Sequence, residues 1–169
     1  MSLIVEDGTG LSNAESYLSV ADADSYHTLR VNTGWAGTTA EKEAALRGAT
    51  EYLTYTYGQK WLGTKKTETQ SLDFPRVDIV TRDNFTLPDD VLPSALKYAT
   101  AELALRVRQG DVLLPDQDNP GTIEEYEVSV GPIKERTKYL GGQSQVKYYP
   151  VVSRMLAGLA QATNEIRRA

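Results

Sequence analysis

The sequence predicts a mainly α fold of four helices in a bundle, with a β-hairpin excursion and an extended N-terminal arm. Three observations carry this. Apolar residues recur at helical spacing in three long segments, residues that cap or break helices stand at their ends, and one late segment alternates with period two. All 169 residues fit one domain.

Residues 1–18 are Gly-rich and polar, with Leu3, Ile4 and Val5 as the clear apolar cluster, and read as an arm or edge strand. Residues 19–110 read as the helical core. Ser19 followed three positions later by Asp22 is an N-cap with an acid suited to the helix dipole; the first helix carries Val20, Ala23 and His27 on one stripe. After the breaker Asn32-Thr33-Gly34, Thr38 or Thr39 caps a second helix with Glu41 in its first turn, and Gly58 follows its end. Leu46, Ala49, Leu53 and Tyr57 share a face there. The third helix opens near Pro93 and stops at Gly110, with Leu92, Leu96, Ala99, Leu103 and Val107 as its stripe and Glu102 with Arg106 as an exposed i,i+4 pair.

Two excursions interrupt these helices. The first, 63–87, is rich in turn formers (Gly63, Pro75, Asp83-Asn84) and holds the β-like Val77-Asp78-Ile79-Val80. The second, 116–140, contains Tyr126, Val128 and Val130 alternating with Glu125, Glu127 and Ser129. A two-residue turn at Gly131-Pro132 would set Glu127 opposite Arg136, Glu125 opposite Lys138 and Val130 opposite Ile133, opposing unlike charges across the strands. Proline in the turn leaves open the alternative that the two arms diverge and pair with neighbouring subunits. A last helix is expected over 150–169, opened by Pro150, with Val152, Met155, Leu156, Leu159 and Ile166 on one face and Arg167-Arg168 at its end.

Lys plus Arg number 18 against 23 Asp plus Glu, a net charge of −5. That balance is opposite to the footprint of a protein that grips phosphates, so general DNA binding is disfavoured. There is no cysteine and one histidine, which removes disulfides, thiolate metal sites and most triad chemistry. No stretch approaches the ~20 apolar residues that cross a bilayer, so no membrane partner is expected, and the N-terminus lacks the pattern of a secretory signal.

Asp116 to Glu127 places acids at positions one, three, nine and twelve and glycine at six, as in a calcium loop. Proline at position five and the strand-like continuation favour a solvated acidic turn instead. Tyr52, Tyr55, Tyr57, Lys60, Trp61, Lys65 and Lys66 could stack on bases and track a backbone, but Tyr57 and Trp61 read better as packing anchors. His27 reads as a partly buried helix residue. Asp22 with Asp24, and Glu124, Glu125 and Glu127, are carboxylate clusters without a readable pKa split, and Gly8-Thr9-Gly10 lacks the lysine of a phosphate loop. No catalytic, cofactor-binding or metal residue is assigned, and no enzyme activity is expected.

Four ordered motifs span nearly the whole chain: Val5 to Tyr17 (VEDGTGLSNAESY), Gln70 to Arg76 (QSLDFPR), Val130-Gly131-Pro132-Ile133, and Tyr149-Pro150-Val151. In these the chain resembles head-tail connector (adaptor) proteins of tailed bacteriophages, some of which carry a DnaT-like single-strand-binding label. Phe74 stands where tryptophan is common. The resemblance implies a structural virion protein at the head-tail interface, made in the host cytoplasm. It would form a homo-oligomeric ring of twelve beneath the portal, contact tail or stopper/neck proteins, and line a channel for double-stranded DNA that it does not grip. Interface residues would then lie in the excursions and termini: Glu125, Glu127, Val130, Gly131, Pro132, Arg136, Lys138, Arg167 and Arg168. The rival reading is a single-stranded-DNA-binding replication accessory protein of phage or prophage, and a third is a small enzyme or its regulatory subunit.

Overall fold

Side-chain caps written in the sequence start α-helices at Ser19 and Thr38 in the computed structural model, which describes residues 2–81, 83–114, 125–130, 133–138, 147 and 149–161. The elements are α1 (Val20–Leu29), α2 (Thr39–Tyr57), β1 (Thr64–Lys65), β2 (Arg76–Val77), α3 (Ser94–Arg108), β3 (Glu125–Val130), β4 (Ile133–Lys138) and α4 (Pro150–Met155). The chain is mainly helical, and it divides into two compact units, Met1–Leu113 with Tyr149–Ala169, and Leu114–Tyr148.

In the first unit, Ser19 accepts the Asp22 N–H at 3.1 Å and donates its own hydroxyl to the Asp22 carboxylate at 2.7 Å, starting α1. At α2 the Thr38 hydroxyl accepts the Glu41 N–H at 3.3 Å while the Glu41 carboxylate accepts the Thr38 N–H at 2.7 Å. Two backbone donors that a helix start leaves orphaned are thereby satisfied reciprocally. The apolar stripe of α2 (Leu46, Ala49, Leu53, Tyr57) is buried, and so are Leu92, Leu96, Ala99 and Leu103 at and within α3. These two helices pack most extensively on each other, α4 packs on α3, and α1 lies against both α2 and α3. Burying each large side chain of these stripes contributes roughly 1.5–3 kcal/mol before entropy is charged against it. The expected Glu102–Arg106 pair does not form: Glu102 accepts the Tyr26 hydroxyl at 2.9 Å, and the Arg106 guanidinium lies 5.1 Å from the Tyr149 ring centre.

Residues 2–18 fold onto the body rather than projecting as an arm. Glu6, only 2% exposed, accepts the N–H groups of Gly8 and Gly10 on one carboxylate oxygen and of Leu11 on the other, all at 2.9 Å. Gly8 and Gly10 take positive φ (102° and 85°) to aim those donors inward. Tyr17, 1% exposed, accepts the backbone N–H of Asp73 at 3.0 Å and of Phe74 at 3.4 Å, while Ser71 donates its hydroxyl to the Ala14 carbonyl at 2.8 Å. The first two motifs are thus one interlocked structure. Around it runs a chain of rings, with Tyr17 against Phe74, Phe74 against Trp61 and Trp61 against Tyr57.

The first excursion is tied down by Arg76, which donates to the carbonyls of Leu62 and Gly63 at 2.7 Å each, and by the fully buried Ile79. Beyond Met155 the chain leaves helical geometry. Leu159 accepts the Leu62 N–H at 2.9 Å and Gln161 donates to the Lys60 carbonyl at 2.7 Å, bringing Ala160 beside Trp61. The helix expected to run onward from Pro150 therefore covers six residues. Val152, Leu156 and Leu159 are buried as its stripe required, but a turn at Ala157-Gly158 delivers Leu159; Ile166, Arg167 and Arg168 lie outside the described residues.

In the second unit β3 and β4 pair antiparallel, with Glu125 opposite Lys138, Glu127 opposite Arg136 and Val130 opposite Ile133. This is the register expected from a two-residue turn with unlike charges opposed, formed within a single chain. Gly131 and Pro132, and residues 115–124 with most of the calcium-like acids, lie outside the described residues.

Candidate functional site

The mixed aromatic and basic segment is mostly structural. Tyr52, Tyr57 and Trp61 are 2%, 8% and 5% exposed, and Trp61 donates its indole N–H to Asp73 at 3.1 Å. Lys66 donates to the carbonyls of Gly8 and Asp89 at 3.2 and 3.0 Å, stapling the N-terminal loop to the first excursion, and Lys65 lies 3.7 Å from Asp73. Of the seven residues only Tyr55, 75% exposed, presents a ring to solvent. His27 is 1% exposed between the rings of Tyr26 and Trp35, with Asn32 at 3.1 Å from Nδ1. Burial pushes its pKa down against the opposing pull of Glu102. Among the described residues no cluster of acids and histidine could hold a metal ion, and no helix is long and apolar enough to cross a membrane.

Tyr55 stands at the rim of an open groove of about 280 Å³ lined by Ala14, Glu15, Arg47, Thr50, Glu51, Thr54, Tyr55, Ser71 and Leu72. Arg47, Glu51 and Tyr55 are four apart on α2 and so form one row on the helix face away from its buried stripe. The opposite wall is the junction of the first two motifs. Ala14, Thr50 and Leu72 are buried and give the groove its floor. Arg47 is held by Glu15 at 2.9 Å and lies 3.9 Å from Glu43; its hydrogen bond holds the Glu15 carboxyl below the usual range. Among the described residues Glu51 has no hydrogen-bond or ion-pair partner.

A second aromatic surface lies where α1 meets α3. The Arg30 guanidinium sits 3.6 Å over the Tyr26 ring and 5.4 Å from the Tyr98 ring, and the two tyrosines are 5.0 Å apart. Burial, reinforced by the Glu102 carboxylate, pushes the Tyr26 hydroxyl up to about 12. Tyr98 remains 43% exposed, and the neighbours of Arg30 in sequence, Leu29 and Val31, are 83% and 81% exposed. Sequence reasoning passed over Arg30 and Tyr98 because they lie on separate helices. It treated Tyr55 only as one member of a run.

The family model described as "Putative DnaT-like ssDNA binding protein" matches residues 1–169. No curated protein and no solved structure matches the chain. The family match overturns the connector reading and everything that rested on it: the twelve-subunit ring, the portal and the tail or neck proteins as partners, the lumen for double-stranded DNA, and the virion as location. It favours the rival, single-strand-binding reading. The physical source of the error is clear in the structure. The first two motifs that carried the resemblance are joints of the fold, since Tyr17 accepts from Asp73, Ser71 donates to Ala14 and Glu6 closes its own loop, so these two report packing and not assembly. The net charge was also asked to decide too much. It argues against gripping phosphates but says nothing against stacking on bases.

Proposed function

Because the chain belongs to the DnaT-like ssDNA binding protein family, we propose that it binds single-stranded DNA as a non-catalytic accessory of replication, working in the cytoplasm where strands are transiently open. The observation that carries this is the match over the whole chain. The geometry supports it through two exposed aromatic surfaces, Tyr55 with its groove and Tyr98 with Arg30, on which bases can stack. Stacking on a ring contributes about 1–3 kcal/mol per base whatever the sequence, and it requires unpaired bases, so it separates single strands from duplex.

Six of the 18 basic side chains, Lys42, Arg47, Lys65, Lys66, Arg76 and Arg108, are engaged within the chain and so are partly withdrawn from phosphates. Binding should then depend weakly on salt. With two or three phosphates neutralised, the slope of log affinity against log salt is about −1.4 to −2 for a single strand. Fluorescence anisotropy of a labelled oligonucleotide tests this. Saturable binding with a slope in that range, and much weaker binding of the duplex, is expected. Absence of saturable binding to any single strand at low salt would overturn the proposal.

A further inference from the structure

Resting on that reading, we propose that the groove between α2 and the two loop segments at 14–15 and 71–72 receives a single base. We further propose that it selects bases bearing an exocyclic amine (cytosine, adenine and guanine) over thymine, which has none. Its volume of about 280 Å³ is at the small end for ligand sites, which begin near ~300 Å³, and suits one flat heterocycle rather than a longer ligand. Tyr55 supplies a ring at the rim and Ala14 and Leu72 an apolar floor, so one face of a base can stack while its edge turns toward the polar residues.

Charge decides which part of the strand enters. Arg47 is the groove's cation, and Glu15 at 2.9 Å neutralises it, with Glu43 close behind. Glu51 is left as an acceptor without a partner among the described residues. A phosphate would meet an uncompensated carboxylate, whereas the amine edge of a base would meet a matching acceptor. A carboxylate accepts from the cytosine N4 amine, and the adenine N6 amine offers the same donor pair. Thymine presents O4 and a methyl group at that position, and its N3–H lies between two carbonyls that a carboxylate repels. The groove therefore adds a preference to sequence-tolerant stacking.

The experiment measures affinity for oligo-dC, oligo-dA and oligo-dT of equal length by anisotropy, for the wild-type chain and for Glu51→Gln, Tyr55→Ala and Tyr55→Phe. Both positions are exposed, and circular dichroism melts will show whether each variant keeps the wild-type midpoint. The wild type is expected to favour dC and dA over dT by about fivefold or more, the lower end of what one good base contact supplies. Glu51→Gln should bring the three within about twofold by replacing a pure acceptor with a group that is half donor. Tyr55→Ala should weaken all three by about tenfold, and Tyr55→Phe should keep the wild-type affinity, since the ring and not the hydroxyl does the stacking. If all three oligonucleotides bind equally and neither Glu51→Gln nor Tyr55→Ala changes them, the groove is not a base site. Its free carboxylate would then fit a basic side chain of a protein partner. That result leaves single-strand binding intact, whereas failure of every oligonucleotide to bind the wild type removes the parent reading and this one together.

Discussion

Replacing Glu6 by Gln tests whether the N-terminal segment is held by one buried carboxylate. The wild-type side chain takes three N–H donors on two oxygens, two on one and one on the other. Glutamine keeps one carbonyl oxygen, enough for Gly8 and Gly10, but sets its NH2 against the Leu11 N–H. One charge-assisted bond is lost and a donor is left facing a donor. The two bonds that survive become neutral ones. Bonds to a charged group contribute about 1.5–3 kcal/mol and an unmade buried one costs about 1–3, so Glu6→Gln should cost about 3 kcal/mol. For a chain of this size that lowers the thermal midpoint by about 6–12 °C. Circular dichroism melts and urea titrations read this directly. Glu15→Gln is the control, because its ion pair with Arg47 and the bond it accepts from the Ile4 N–H at 3.2 Å are both partly solvent-exposed, so their loss should move the midpoint less than the Glu6 change does. A Glu6→Gln midpoint as close to wild type as the control's would refute the claim that this carboxylate organises the segment.

Gly8→Ala should be comparably severe: φ is 102° and an added Cβ would stand 2.1 Å from the Asp90 carbonyl oxygen, so strain and overlap together cost about 2–5 kcal/mol in a urea titration. Ser19→Ala removes the α1 cap and should cost about 1 kcal/mol in the same assay. His27 is buried with its pKa lowered, so the unfolded chain takes up a proton more readily than the folded one. Stability should be flat above the unfolded value near ~6.5 and fall as pH drops below it. Melts from pH 8 to 5 should show that fall in the wild type and a shallower one in His27→Gln. Equal slopes would count against it.

Local signals were legible and long-range ones were not. Ser19, Thr38 with Glu41, and Pro93 marked helix starts because a cap acts within one turn of itself. The β3–β4 register was legible because an assumed two-residue turn at Gly131-Pro132 sets unlike charges opposite one another, and the strands pair in that register. Glu6 was invisible as an anchor. Its partners are near in sequence, but the loop that aims them inward depends on contacts with residues 71–74 and on the body beneath. A Gly-rich polar segment with its donors turned inward has the same composition as a free arm. The end of α4 failed for a related reason: Val152, Leu156 and Leu159 are spaced for a helix, and the turn through Gly158 buries Leu159 just as well against Lys60–Leu62. Arg47, Glu51 and Tyr55 stood at helical spacing throughout, on the face of α2 that the search for a core discarded.

An acidic chain and a single-stranded ligand are compatible once charge is counted where it acts. The excess of five acidic over basic side chains is a sum over the whole surface, and within ~8–10 Å, the screening distance at working salt, only nearby charges matter. Arg76 is spent on three carbonyls and Lys66 on two, so these cations hold loops and are withdrawn from any ligand. Arg30 donates to one carbonyl, that of Tyr26 at 3.2 Å, and its guanidinium carbon stands 3.6 Å over the Tyr26 ring beside the exposed Tyr98, where a guanidinium can face a base and offer charge to the adjoining phosphate. A surface built in this way takes hold of bases first and phosphates second. Its affinity should therefore track the rings, and Tyr98→Ala should weaken binding more than Lys66→Ala does in any variant that stays folded.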